Sequence, residues 1–207
     1  MCWMTYSVEN DALANAVIRI QKGEKIAGGH SWGFAYADDG EIVIEKGVGR
    51  YPEDRDVPVT DHALAHTRFT TRGLINEENA HPFPIEDPNG EVVAALVHNG
   101  TWREAPYDQI RSDTWMMART FEELLEMADS FEEAFQCLVE NIGETIIVLR
   151  RDKTAFVYSG RYTITRDGAT IASTGFDEIP DGSIVRIEPN GRARTIAAEQ
   201  KTLIQND

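Results

Sequence analysis

Residues 65–85 read AHTRFTTRGLINEENAHPFPI, and the change of character within this stretch is the starting point for predicting the fold. The apolar run HALAHTRF (62–69) is typical of a buried strand. The stretch contains two arginines, and after the strand the chain enters a long polar loop that contains Gly73 and the run Asn79-Ala80-His81-Pro82. We therefore expect a strand over 62–69 followed by a loop with little regular structure.

The segment before this stretch predicts one helix and one hairpin. Apolar residues recur at helical spacing over 11–24, and Asn10 is the expected N-cap of that helix. The runs WGFAYA (32–37) and EIVIEK (41–46) predict two strands, because Asp38-Asp39-Gly40 between them is typical of a tight turn.

The segment after it predicts another buried strand, VVAALVHN (92–99), and then two helices. These helices are expected to begin near Ser112 and at Ser130, and Glu133 occupies the capping-box position of the second. The remaining sequence consists of short strand-like runs, with Asp167-Gly168 as a hairpin signal. Few strands alternate with helices, so the pattern favours an α+β fold with a mainly antiparallel sheet.

Composition narrows the class of protein. The chain has 207 residues, which suits one large domain or at most two small ones. Its formal net charge of −15 would repel nucleic acid and anionic membrane surfaces, so we expect neither as a partner. Arginine outnumbers lysine by 15 to 5 in this acidic chain, which suggests a salt-rich cytoplasm as the habitat, because salt screens self-repulsion.

The sequence contains no apolar run long enough to span a membrane and no signal peptide, so the predicted location is the cytoplasm. The two cysteines, Cys2 and Cys137, make neither a disulfide framework nor a zinc site. Cys137 falls among apolar residues of a predicted helix, where a core position is expected. The five histidines are interpreted as structural, and no metal or cofactor is predicted.

Three stretches carry candidate functional residues, although each has a simpler explanation when taken alone. The strand that ends in Asn99-Gly100 can be an ordinary turn. Asp113 in the first turn of a helix can simply complement the helix dipole. Arg68 can be a plain surface arginine.

In combination these stretches are more specific. Cys2 is followed in order by HTRFTTRG, NAHPF, VHNG and SDT, and this series resembles the glutaminase domain of class II glutamine amidotransferases, which are N-terminal nucleophile hydrolases. The resemblance extends from Cys2 to about Gly191. It implies a four-layer α/β/β/α sandwich, with two antiparallel sheets flanked by helices. It also implies a single domain over residues 1–207 with no fused synthase domain.

The resemblance gives Cys2 the role of nucleophile. A small residue at position 2 permits removal of Met1, which would leave the thiol and a free α-amine on one residue. An α-amine has a reference pKa of about 7.7–8.0, so part of it is neutral near pH 7 and can act as the general base. The other expected catalytic groups are Asn99 and Gly100, which match the family's oxyanion hole.

Substrate-binding residues are carried over in the same way. Arg68 matches the arginine that binds the α-carboxylate of glutamine, and Asp113 matches the acid that pairs with its α-ammonium. Thr71 and Gly73 match the loop that folds over bound glutamine. The sequence also departs from the family pattern, with Trp3 directly after the nucleophile.

The expected activity is hydrolysis of the glutamine side-chain amide, with ammonia passed to a synthase or transferase partner. A homodimer is also considered. Two alternatives stay open, namely a non-catalytic glutamine-binding or scaffolding module with the same fold and a hydrolase of another γ-glutamyl amide. An apolar acyl substrate is disfavoured, because it would leave Arg68 and Asp113 buried without partners.

Overall fold

A computed structural model of the protein describes residues 2–26, 28–106, 108–161, 164–166, 171–174 and 179–198. The helices in these ranges are α1 (Ala12–Glu24), α2 (Asp113–Met127) and α3 (Phe131–Ile142). The strands in the same ranges are β1 (Trp3–Val8), β2 (Ser31–Asp38), β3 (Glu41–Val48), β4 (His62–Arg68), β5 (Phe83–Glu86), β6 (Val92–Asn99), β7 (Thr145–Arg150), β8 (Ala155–Tyr158), β9 (Thr165–Arg166), β10 (Ile171–Thr174), β11 (Ser183–Ile187) and β12 (Ala193–Ala198).

The strands form two six-stranded sheets. The first has the order β3-β2-β4-β1-β10-β9, and the second has the order β12-β11-β8-β7-β6-β5. Every pairing in the second sheet is antiparallel. The first sheet is antiparallel from β3 to β1, whereas β10 pairs in parallel with both β1 and β9.

The sheets pack face to face and carry helices on their outer faces. Met4 and Leu64 of the first sheet pack against residues of the second such as Val97 and Ile147, and all of these side chains are buried. Helix α1 covers the outer face of the first sheet, while α2 and α3 cover that of the second. The predicted four-layer sandwich is therefore confirmed.

The helix starts agree only in part with the sequence predictions. Ser112 and Ser130 are the N-caps of α2 and α3, and each hydroxyl accepts a backbone N–H of its first turn. The expected cap Asn10 is wrong, because α1 starts after Asp11, whose side chain makes no cap hydrogen bond. Thr60 replaces the cap, since its carbonyl and hydroxyl oxygens accept the N–H groups of Ala12 and Leu13.

The hairpin between β2 and β3 is confirmed, with Asp39 and Gly40 both at positive φ in the turn. Asp167-Gly168 lies outside the described residues, and the strands on either side of it, β9 and β10, pair in parallel. The core position predicted for Cys137 is wrong, because this residue is only partly buried on α3.

Strand β5 was not predicted, because 65–85 was interpreted as a strand followed by a loop. It is short, it contains Pro84, and among the described strands it pairs with β6 alone, at the edge of the second sheet. No helix in the described ranges is long and apolar enough to cross a membrane.

The topology brings the start of β1 to the end of β4. Trp3 pairs with Thr67 across the antiparallel ladder, so the residue before Trp3 lies beside the residues that follow Thr67. In the second sheet, β6 ends at Asn99 at the same end of the sandwich, where the Asn99 side chain contacts Cys2.

We expect the substitution Gly33→Ala on β2 to destabilise the protein by about 2–3 kcal/mol. A Cβ at position 33 would lie 2.1 Å from the carbonyl oxygen of His81 and 2.9 Å from that of Glu45, so backbone would have to move. Urea unfolding measures the effect, with the exposed Glu41→Ala on the neighbouring strand as the control. A Gly33→Ala protein as stable as the control would contradict this interpretation.

Candidate active site

Cys2 lies just before β1, and its thiol forms hydrogen bonds with both backbone groups of Phe69. The Phe69 N–H donates to Cys2 Sγ at 3.3 Å, and the thiol donates to the Phe69 carbonyl oxygen at 3.6 Å. Burial raises the pKa of the Cys2 thiol, while the Phe69 hydrogen bond and the charge of Arg68 act in the opposite direction. Ionising this thiol therefore requires a nearby base or further positive charge.

Asn99 contacts Cys2 and Gly100 follows it in the chain, while their role as an oxyanion hole stays a prediction. Asn99 ends β6 opposite Thr145 of β7, and its amide Nδ2 donates to the Cys2 carbonyl oxygen at 3.4 Å. Gly100 has φ = +148°, and a Cβ there would lie 2.1 Å from Oε2 of Glu144. Position 100 thus requires glycine for both its conformation and the space that it leaves.

Glu144 is a site residue that the sequence analysis missed. Its carboxylate is buried against Gly100, and Oε2 has no hydrogen-bond partner among the described residues. Burial raises the pKa of Glu144, opposed by Arg161, whose Nη1 lies 3.7 Å from Oε1, and by the Thr101 backbone. Only the pairing register of β6 and β7 could have pointed to it, since Glu144 directly precedes β7.

Arg68 is buried at the end of β4, where it binds the loop that follows. Its Nη1 donates to the Leu74 carbonyl oxygen at 3.0 Å, and its Nη2 donates to the Arg72 carbonyl oxygen. The interpretation of Arg68 as a plain surface residue is therefore wrong. Its predicted contact with a substrate carboxylate stays a prediction, and the guanidinium has further N–H donors for it.

The loop of residues 70–80, which we call the cover loop, packs closely on the start of α2. Gly73 has φ = +73°, and a Cβ there would lie 2.7 Å from backbone atoms of Arg111 and Ser112. Arg72 donates to the Trp102 carbonyl oxygen at 3.0 Å, which connects the loop to the segment after Gly100. Thr71 is exposed on this loop.

Asn79 holds the cover loop together and was not predicted as a site residue. Its Nδ2 donates to the Ile110 carbonyl oxygen at 2.7 Å, and its Oδ1 accepts the Ser112 N–H at 2.7 Å. The same Nδ2 also donates to the Leu74 carbonyl oxygen at 3.3 Å. A buried asparagine with these partners fixes the cover loop relative to α2. Its occurrence in the NAHPF motif was the available signal.

Asp113 is buried in the first turn of α2 and fixes the segment that follows Gly100. Its Oδ2 accepts the Trp102 N–H at 2.9 Å, and its Oδ1 accepts the Thr114 N–H at 3.1 Å. Its negative charge raises the pKa values of Cys2 and Glu144 in addition to the effect of their burial. The carboxylate retains lone pairs for a cationic group, and that role stays a prediction.

Two histidines form a buried pair near the site. His66 Nε2 and His81 Nδ1 are 2.9 Å apart, so one ring donates to the other. Burial lowers the pKa of both imidazoles well below the ordinary value, and Arg68 adds to the effect. Both rings are thus neutral at pH 7. No group of three or more metal-binding side chains suitable for an ion occurs among the described residues.

Comparison with known proteins finds relatives that are named aminotransferases and a structural neighbour that is named an amidotransferase. No protein-family model matches the chain. Glutamine–fructose-6-phosphate aminotransferase [isomerizing] of Pyrococcus horikoshii is 26% identical over 86% of this chain and 32% of its own. The protein of the same name from Aeropyrum pernix is 32% identical over 63% of this chain and 23% of its own. The chain thus spans a third or less of the length of these relatives.

Among solved structures, glutamine phosphoribosylpyrophosphate (PRPP) amidotransferase from B. subtilis superimposes with a TM-score of 0.66 at 16% identity. The match covers 96% of this chain and 49% of that one. The chain shares the fold of this amidotransferase, and its Cys2 lies beside the end of β4. The chain is thus similar in sequence to these aminotransferases and in fold to this amidotransferase, in agreement with the resemblance to class II glutamine amidotransferases.

We expect the stability of the protein to decrease between pH 7.5 and pH 5.5 because of the His66–His81 pair. Both pKa values are lower in the folded state, so the unfolded chain binds more protons once the pH falls below its ordinary histidine value of about 6.5. The free energy of unfolding continues to decrease until the pH reaches the pKa of the folded state. At pH 5.5 each histidine lowers it by about 1 kcal/mol.

Urea unfolding at both pH values measures this loss. The double variant His66→Gln/His81→Gln has no titrating group at these positions and should lose less stability over the same interval. An equal loss in the wild type and the double variant would show that other groups cause the pH dependence.

Proposed function

We propose that the chain hydrolyses the side-chain amide of glutamine to glutamate and ammonia, with Cys2 as the nucleophile. The observation that carries this proposal is the position of Cys2, whose thiol is held by the Phe69 peptide and whose carbonyl oxygen accepts the Asn99 amide N–H. The buried charges of Arg68 and Asp113 both act on this thiol. A nucleophile beside an amide donor and a charge pair is suited to acyl transfer from a zwitterionic amino acid.

The proposed reaction begins after removal of Met1, which frees the α-amine of Cys2. The neutral amine takes the thiol proton, and sulfur attacks the side-chain amide carbon of glutamine. The amide oxygen becomes an oxyanion that accepts hydrogen bonds from the Asn99 side chain and the Gly100 N–H. The ammonium group on Cys2 then returns its proton to the departing nitrogen, and ammonia leaves a γ-glutamyl thioester.

Water completes the reaction. It attacks the thioester carbon, loses its proton to the Cys2 amine, and releases glutamate and the free thiol. Arg68 and Asp113 bind the α-carboxylate and α-ammonium of glutamine, so that its amide reaches Cys2. Thr71 and Gly73 in the cover loop enclose the substrate. This arrangement selects glutamine by its two charged ends.

We also propose that the ammonia passes to a synthase or transferase partner. The relatives are named glutamine–fructose-6-phosphate aminotransferases, and the chain spans a third or less of their length. A scaffolding module and a hydrolase of another γ-glutamyl amide are the competing functions. Assays with glutamine and with a panel of γ-glutamyl amides, at low and high salt, separate them.

Substitution Cys2→Ala should abolish release of glutamate, because no thioester can form. Cys137→Ala is the matched control, since Cys137 is the other cysteine of the chain and lies on α3. Intact mass measures the fraction of protein without Met1, and activity should increase with that fraction. Fully processed wild-type protein that leaves every amide in the panel unchanged would exclude the hydrolase and favour the scaffolding function.

Substitution Asn99→Ala should lower kcat by about 10²–10³-fold with a smaller change in KM, because a donor to the oxyanion acts mainly in the transition state. Asn141→Ala on α3 is the control, and its kcat should match that of the wild type. An Asn99→Ala enzyme with unchanged kcat would remove Asn99 from the proposed mechanism.

A further inference from the structure

The backbone of His30 is fixed on both sides. This residue immediately precedes β2, and its N–H donates to the Arg68 carbonyl oxygen at 3.0 Å. Its own carbonyl oxygen accepts the N–H of Gly49 at 3.0 Å. These two bonds continue the β2–β4 and β2–β3 ladders by one residue, so the imidazole is attached to a rigid part of the first sheet.

The His30 side chain reaches past the end of β4 to the two residues that follow Arg68. Its Nδ1 accepts the backbone N–H of Thr70 at 3.0 Å. Its ring stacks on the Phe69 ring with centroids 4.9 Å apart and planes at 23°. Because Nδ1 accepts this hydrogen bond, it carries no proton, and the proton of the neutral ring is on Nε2.

These contacts surround the peptide that holds the nucleophile. Cys2 Sγ contacts both backbone groups of Phe69, and His30 holds the residue before Phe69 and the residue after it. Thr70 is also the first residue of the cover loop. A loss of the His30–Thr70 bond would therefore free the Phe69 peptide beside the thiol and the base of the cover loop together.

We propose that His30 is a positioning residue for the Cys2 nucleophile, acting through its Nδ1 bond to Thr70 and its stacking on Phe69. Its effect on catalysis rests on the proposed hydrolysis of glutamine, whereas its hold on the Thr70 backbone does not. His30 acts through the Phe69 peptide and needs no contact with the substrate. In this proposal the His30–Thr70 hydrogen bond orients the Phe69 peptide more strongly than ring stacking does, because a hydrogen bond is directional.

Two substitutions separate the hydrogen bond from the ring. His30→Asn replaces the ring but can present its Oδ1 where Nδ1 lies, so it retains an acceptor for the Thr70 N–H. His30→Phe retains an aromatic face for Phe69 and removes the acceptor. His30→Ala, which removes both, is a second variant without the acceptor in case the larger ring disturbs folding.

Hydrogen exchange at the Thr70 amide is the first measurement, and it requires no enzymatic activity. Exchange in His30→Phe and His30→Ala should be about three- to tenfold faster than in His30→Asn. Exchange in β6, measured in the same samples, should be equal in all three and serves as the control for folding. Equal exchange at Thr70 in the variants with and without the acceptor would overturn the proposal.

The second measurement is glutamine hydrolysis. The kcat of His30→Phe should be about three- to tenfold below that of His30→Asn, with a smaller difference in KM. Equal kcat values in the two variants would overturn the catalytic part of the proposal. If the wild type hydrolyses no glutamine, the proposed function fails, and the exchange experiment still decides whether His30 holds Thr70.

Discussion

Burial of the apolar inner faces of the two sheets is the interaction on which the candidate site depends. Side chains alternate between the faces of a strand, so the burial of Met4 and Val97 between the sheets also fixes the direction of the residues two positions away. These residues are Cys2 and Asn99, which meet at one end of the inter-sheet layer. A slip of one residue in either strand would turn one of them to the opposite face. The hydrophobic core therefore aligns a polar site that contributes little to it.

Outside the sheets, buried and partly buried polar side chains connect neighbouring segments, as strand pairing does within the sheets. Asn79, Arg72 and Asp113 each bind backbone groups of a neighbouring segment, and together they join the cover loop, the 101–105 segment and α2. Backbone groups buried in a loop need partners, and here side chains supply them. The same residues lie in the motifs by which the family resemblance was recognised. Part of the sequence signal behind this resemblance thus reflects loop architecture as well as chemistry.

Local sequence patterns predicted the helices and strands that are determined by neighbouring residues, such as turn residues and N-caps. The β2–β3 hairpin follows from the turn residues Asp39 and Gly40, and the starts of α2 and α3 follow from Ser112 and Ser130. The four-layer arrangement came from the family resemblance and could not be obtained from periodicity alone. The motifs identified the segments that meet beside Cys2.

The features that sequence reasoning missed depend on contacts between distant segments. Helix α1 begins where it does because Thr60 caps it from another part of the chain. Glu144 reaches the site only through the register of β6 and β7, which no single strand specifies. Cys137 lies in an apolar helical pattern, yet its exposure depends on which face of α3 meets the sheet. In each case the cause is a contact between segments that are distant in the sequence.

The contact between Gly100 and Glu144 also constrains how this site can change in evolution. The carboxylate occupies the space that a side chain at position 100 would need, so a β-carbon there would displace the Glu144 side chain and strain the backbone at φ = +148°. A homologue that gains a β-carbon at position 100 needs a residue at 144 that is shorter or turned away from it. A homologue that retains the glycine is free to keep or lose the carboxylate. We therefore expect side chains at position 100 to occur mainly with small residues at position 144, whereas glycine at position 100 places no such restriction on position 144.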